Sequence, residues 1–94
     1  MRFFTLALVF ALVLTPLLAQ KQPLTDDIIT DNVRVKLAND ADIGGLKIEV
    51  EVKQGAVTLT GRVRTDKQRA KAEKVAKKVK GVSSVNNRLE VRPD

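Results

Sequence analysis

Two stretches of strict alternation meet at a glycine, and nothing else in the chain restricts its fold as tightly. From Leu46 to Lys53, Leu46, Ile48, Val50 and Val52 occupy one parity, and Lys47, Glu49, Glu51 and Lys53 the other. Successive strand side chains point to opposite faces, so the pattern predicts a half-buried strand with a charged, solvated side. Ala56 to Val63 alternates again, with Val57, Leu59 and Val63 inward and Thr58, Thr60 and Arg62 outward. Gln54-Gly55 between them reads as a tight turn, Gly55 supplying the positive φ that a two-residue hairpin needs. Gly61 falls on the inward parity, where a glycine marks a bulge or the close approach of another element.

Helical periodicity brackets this hairpin. Thr25-Asp26-Asp27 offers a capping hydroxyl followed by acids that suit the positive end of a helix dipole. Ile29, Val33 and Leu37 then recur every four residues, and the helix is expected to end near Asn39-Asp40, with a loop running on to Gly44-Gly45. Ile28 and Val35 lie on the far side, seven residues apart: a candidate contact patch for another protein, or two exposed aliphatics. Thr65-Asp66 opens a second helix. Its Ala72, Val75, Ala76 and Val79 form a narrow face of small residues, while Lys67, Lys71, Lys74 and Lys78 form a second stripe. Gly81 is expected to stop it. A last strand follows from about Ser84 to Val91, with Val85, Asn87, Leu89 and Val91 on one parity. Asn87 is read as a structural amide held by backbone groups. The order helix-strand-strand-helix-strand predicts an α+β fold, a two-layer sandwich with two helices on one face of a three-stranded sheet.

The chain also divides chemically. Phe3, Phe4 and Phe10 are its only aromatic residues, and from Gln20 onward there is no Phe, Tyr, Trp, His or Cys. Met1-Arg2, the apolar run Phe3 to Leu14, the break at Thr15-Pro16 and the polar stretch after Ala19 have the layout of a secretory signal. Residues 1–19 are expected to be a signal peptide cut after Ala19, which implies a periplasmic or otherwise exported protein. The alternative is an uncleaved N-terminal membrane anchor, for which the run falls short of the about 20 apolar residues a span requires. Residues 20–24, with Pro23, form a flexible lead, and residues 25–92 form one small domain. Without cysteine there is neither lipid attachment at the cut nor a disulfide to staple the domain.

The missing side chains narrow the function. Nucleophilic and acid–base catalysis usually recruits His, Cys or a carboxylate beside a base, and Ser83-Ser84 have no base in sequence reach. No enzyme activity, cofactor or metal site is therefore expected. Asn39-Asp40-Ala41-Asp42 lacks the spacing of a calcium loop and reads as an ordinary turn. Nucleic acid is disfavoured by the lack of stacking aromatics and of a G-x-x-G loop between helices.

Charge is the remaining signal. The chain has 17 Lys+Arg against 11 Asp+Glu. Nine of the basic residues fall between Arg62 and Lys80 against only Asp66 and Glu73, which predicts one basic surface. The lysine stripe is a candidate for contact with anionic phospholipid or another membrane-surface polyanion. It is equally what keeps a helix soluble.

The residues together resemble the BON domain family. The resemblance rests on Asp27, Ile29, Val33 and Leu37, on Ile48-Glu49-Val50, and on the run Gly55 to Val63 with its G-x-V-x-L-x-G block. It continues through Ala72, Ala76 and Val79 to Lys80-Gly81-Val82 with Val85, Asn87, Leu89 and Val91, covering about Leu24 to Val91. It implies a helix-strand-strand-helix-strand module of envelope proteins, linked to phospholipid contact and osmotic or envelope stress. The shared residues, Gly55, Gly61, Gly81 and Asn87 among them, are structural. One copy of the pattern is present where the best-known members carry two, so loose attachment is expected.

Overall fold

The computed structural model describes residues 24–93. The expected signal peptide, its cut after Ala19 and most of the lead lie outside the described residues. Helix α1 spans Asp26–Asn39, and Thr25 caps it by accepting a hydrogen bond from the Ile28 N–H at 3.3 Å. Ile29, Val33 and Leu37 are its buried stripe. Strand β1 covers Ile48–Lys53 and β2 Ala56–Val63. Helix α2 covers Asp66–Lys77 and β3 Ser84–Val91. The strands lie in the order β1-β2-β3, with β1 antiparallel to β2 and β2 parallel to β3. This is the expected α+β arrangement. The helices cover the face carrying Val50, Val52, Val57, Leu59, Val63 and Leu89, all buried.

The hairpin is narrower than the alternation implied. Lys53 faces Ala56 across a two-residue turn, and β1 begins at Ile48 rather than Leu46. The Leu46 N–H bonds instead to the Ile43 carbonyl at 3.0 Å, closing the loop that leaves α1. Leu46 keeps the strand pattern because it still packs on the core edge, half-buried. At the turn, Gln54 and Gly55 both have positive φ, 49° and 81°, as a type I′ hairpin requires. Asp26 holds that turn across the fold: its carboxylate accepts the Gln54 N–H at 2.9 Å and the Gly55 N–H at 3.1 Å. One acid of the first helical turn thus fastens the hairpin.

Helix α2 starts with a reciprocal cap. Thr65 Oγ1 accepts from the Gln68 N–H at 3.0 Å, and Gln68 Oε1 accepts from the Arg64 N–H at 2.8 Å. Ala72 and Ala76 are fully buried, and their small side chains let the helix sit close to the sheet, while Val75 is only half-buried. The helix ends at Lys77, not at Gly81. Tight turn bonds from the Lys78, Val79 and Val82 N–H groups carry the chain to Gly81, whose φ of 95° redirects it.

One core residue had no periodic signal. Ile43 lies in the α1–β1 connection, which reads as loop in the sequence, yet it is 1% exposed. The Gly44 N–H bond to the Asp40 carbonyl at 2.8 Å folds that connection over and drops Ile43 between the layers.

Candidate functional site

Helix α2 presents the lysine stripe. Spacings of four, three and four residues put Lys67, Lys71, Lys74 and Lys78 on one side of the helix. Lys67, Lys74 and Lys78 are exposed, while Lys71 is drawn against the α1–β1 connection. Its ammonium lies 3.6 Å from Asp40 and 3.7 Å from Asp42. Those two acids, read in the sequence as an ordinary turn, therefore neutralise the centre of the stripe. Asp40 Oδ1 also accepts the Asp42 N–H at 2.9 Å, which stiffens the turn. A depression of about 380 Å³ runs along Asp42, Thr65, Lys67, Gln68, Lys71 and Lys74. A second, of about 360 Å³, lies between the end of α1 and α2, with Lys36 and Lys78 both in its lining. Lys36 carried no site signal in the sequence, since a lysine in a last helical turn is accounted for by the dipole alone.

The single basic surface expected from Arg62 to Lys80 does not form. The run spans the end of β2, all of α2 and the following turn, and these face different ways. Arg62 lies on the sheet face opposite the helices. Lys77 pairs with Glu73 at 3.1 Å. The hydrogen bond from Lys77 is the main cause holding the Glu73 carboxyl below its ordinary range; burial opposes it, and the charge of Lys77, the Asn87 amide and Arg69 add smaller lowering effects.

Arg69 turns inward to β3. Its Nε donates to the Leu89 carbonyl at 3.0 Å and its Nη2 to the Asn87 carbonyl at 2.9 Å. Asn87 answers with Nδ2 to the Arg69 carbonyl at 2.9 Å, while its Oδ1 accepts the Leu89 N–H at 3.2 Å. Asn87 is thus held by backbone groups, and no spacing along the chain marks Arg69 as its partner.

The glycines sit where space is short. A Cβ on Gly61 would lie 2.5 Å from the Lys47 carbonyl oxygen, and one on Gly55 would lie 2.9 Å from the Gly81 carbonyl oxygen. On the outer side of α1, Ile28 is 37% exposed and Val35 55%. Leu24, just before the helix, is 40% exposed and lies against Gly81 beside Ile29. Among the described residues no helix is long and apolar enough to cross a membrane.

Comparison with known proteins follows the same boundaries. The chain is 42% identical over 67 residues to Osmotically-inducible protein Y of Escherichia coli (strain K12). The match covers 71% of this chain and 33% of that protein, so the chain spans about a third of the relative's length. The BON domain profile matches residues 25–93, from the α1 cap to just past the end of β3. With the fold, the hairpin glycines and this match in agreement, the chain belongs to the BON domain family.

Proposed function

We propose that this protein is an exported, non-enzymatic module of the bacterial envelope that touches anionic phospholipid surfaces weakly and reversibly through α2, in a setting of osmotic or envelope stress. The observation that carries the lipid contact is the exposure of Lys67, Lys74 and Lys78 on one side of a single helix. The osmotic setting is supported by the similarity to Osmotically-inducible protein Y. Each lysine near an anionic bilayer contributes about 1 kcal/mol, so three give roughly 3 kcal/mol, an affinity of several millimolar. Lys71 adds little because Asp40 and Asp42 hold its charge. The helix surface carries no aromatic wedge, so attachment is salt-sensitive.

Co-sedimentation with phosphatidylglycerol vesicles, compared with phosphatidylcholine vesicles, tests this. The protein should pellet with the anionic vesicles only, at low salt, and replacement of Lys67, Lys74 and Lys78 by Gln should abolish it. Equally poor binding to both vesicles overturns the reading. It would favour a second one, contact with another envelope protein, for which the exposed pair Ile28 and Val35 on α1 is the supporting observation.

A further inference from the structure

The sheet face turned away from the helices carries its positive excess over β2 and β3. Register puts Glu49, Thr60 and Arg88 in one row and Arg62 beside Glu90 in the next. Alternation turns all of these side chains outward, with Lys47, Glu49, Glu51 and Lys53 in balance along β1 and the bases Arg62, Arg88 and Arg92 toward β3. A shallow depression of about 520 Å³ lies over the basic half, lined by Thr60, Gly61, Arg62, Arg88, Glu90 and Arg92. Its one acid is already engaged, because Arg92 Nη2 lies 3.1 Å from Glu90 Oε2. Arg62 and Arg88 are exposed and form no ion pair among the described residues. They stand on neighbouring strands, one row out of step, with Thr60 and Glu90 at the other two corners of the same square.

We propose that this depression is an oxyanion site that takes a phosphate group, with Arg62 and Arg88 donating to its oxygens and Thr60 supplying a third hydrogen bond. A guanidinium keeps its charge at any pH the fold survives and presents paired N–H groups matched to phosphate oxygens. Two of them on one diagonal, each next to Thr60, offer paired donors that an isolated surface lysine does not. Along β1, Lys47 and Lys53 offset Glu49 and Glu51, so the positive excess of this face lies over β2 and β3. The site lies on the opposite side of the sheet from the α2 lysines and does not depend on them.

The test is an NMR titration of the Arg side-chain Nε–H signals and the Thr60 amide, first with inorganic phosphate and then with phosphatidylglycerol vesicles, against chloride at matched ionic strength. Saturable shifts at Arg62, Arg88 and Thr60 are expected with at least one phosphate source and not with chloride. Shifts with inorganic phosphate identify a soluble ligand; shifts with vesicles alone identify a headgroup. The pair Arg62→Gln and Arg88→Gln should weaken the response at least tenfold with an unchanged melting temperature, while the Lys67, Lys74 and Lys78 replacement leaves it intact. Linear drifts equal to those in chloride, or shifts that survive loss of both arginines, would overturn the proposal. Vesicle binding lost in the lysine variant with arginine shifts retained keeps the two readings separable.

Discussion

Arg69 and Asn87 hold each other: each donates from its side chain to the other's backbone carbonyl at 2.9 Å. The Arg92 N–H bonds to the Val63 carbonyl at 2.7 Å, so even-numbered residues of β3 turn their backbone toward β2. The carbonyls of Asn87 and Leu89 therefore point to the outer edge of the sheet, and Arg69 occupies both. An uncovered edge is a template for pairing with another chain, and this contact closes the middle of it.

Arg69→Ala should lower stability by about 1–3 kcal/mol, the cost of leaving part-buried carbonyls without partners. Asn87→Ala should cost a similar amount. Because the two share one network, the double variant should lose clearly less than the sum in urea unfolding. Additive losses would show that the two side chains act separately. Light scattering of Arg69→Ala on warming should also reveal earlier association than in the parent.

Asp26 ties α1 to the hairpin turn, so Asp26→Ala should destabilise by roughly 1–2 kcal/mol, more than loss of a dipole-facing acid alone. Asp27→Ala, at the neighbouring position of the same helical turn, should cost a few tenths of a kcal/mol. Equal melting temperatures for the two variants would contradict the assigned role of Asp26.

Gly61 and Gly45 offer a matched pair. A Cβ at Gly61 meets the Lys47 carbonyl oxygen at 2.5 Å with φ at 131°, whereas nothing lies within 4 Å of one at Gly45. Gly61→Ala should cost about 1–3 kcal/mol through backbone strain. Gly45→Ala should be neutral, or stabilise by up to about 1 kcal/mol by restricting the unfolded chain. Thermal melts of both variants check the contrast.

The lowered pKa of Glu73 makes a signed statement about acid stability. Its folded pKa lies below the ordinary 4.5, so the unfolded chain takes up the proton first as pH falls. The contribution is present above about that value and disappears as pH drops through the folded pKa. Since the Glu73–Lys77 pair is largely exposed, the effect is under about 1 kcal/mol. Glu73→Gln should therefore lower stability slightly at neutral pH and match the parent near pH 3 in urea titrations. A difference of the same size at both pH values would place the contribution in packing rather than charge.

Much of the fold was legible because it rests on short-range chemistry. The alternation through Val50, Val52, Val57 and Leu59 follows from the two-residue period of a strand, and Gln54-Gly55 from the φ values of a tight turn. Thr25 and Thr65 announced their helices because a capping hydroxyl acts on an N–H only three residues away. The candidate site was legible only in part. The lysine stripe follows from helical spacing, but the pairing of Lys71 with Asp40 and Asp42 crosses about thirty residues of chain.

What the amino-acid order determined alone was the elements, their inward and outward faces, and the caps and turns that bound them, since each depends on atoms within a few residues. Only the tertiary structure decided that β3 lies parallel beside β2, that Ile43 enters the core, that Asp26 fastens the hairpin and that the basic run is divided between two faces. These are through-space choices. They depend on which surfaces meet when the layers close, and no periodicity along the chain encodes the partner of a side chain that reaches across the fold.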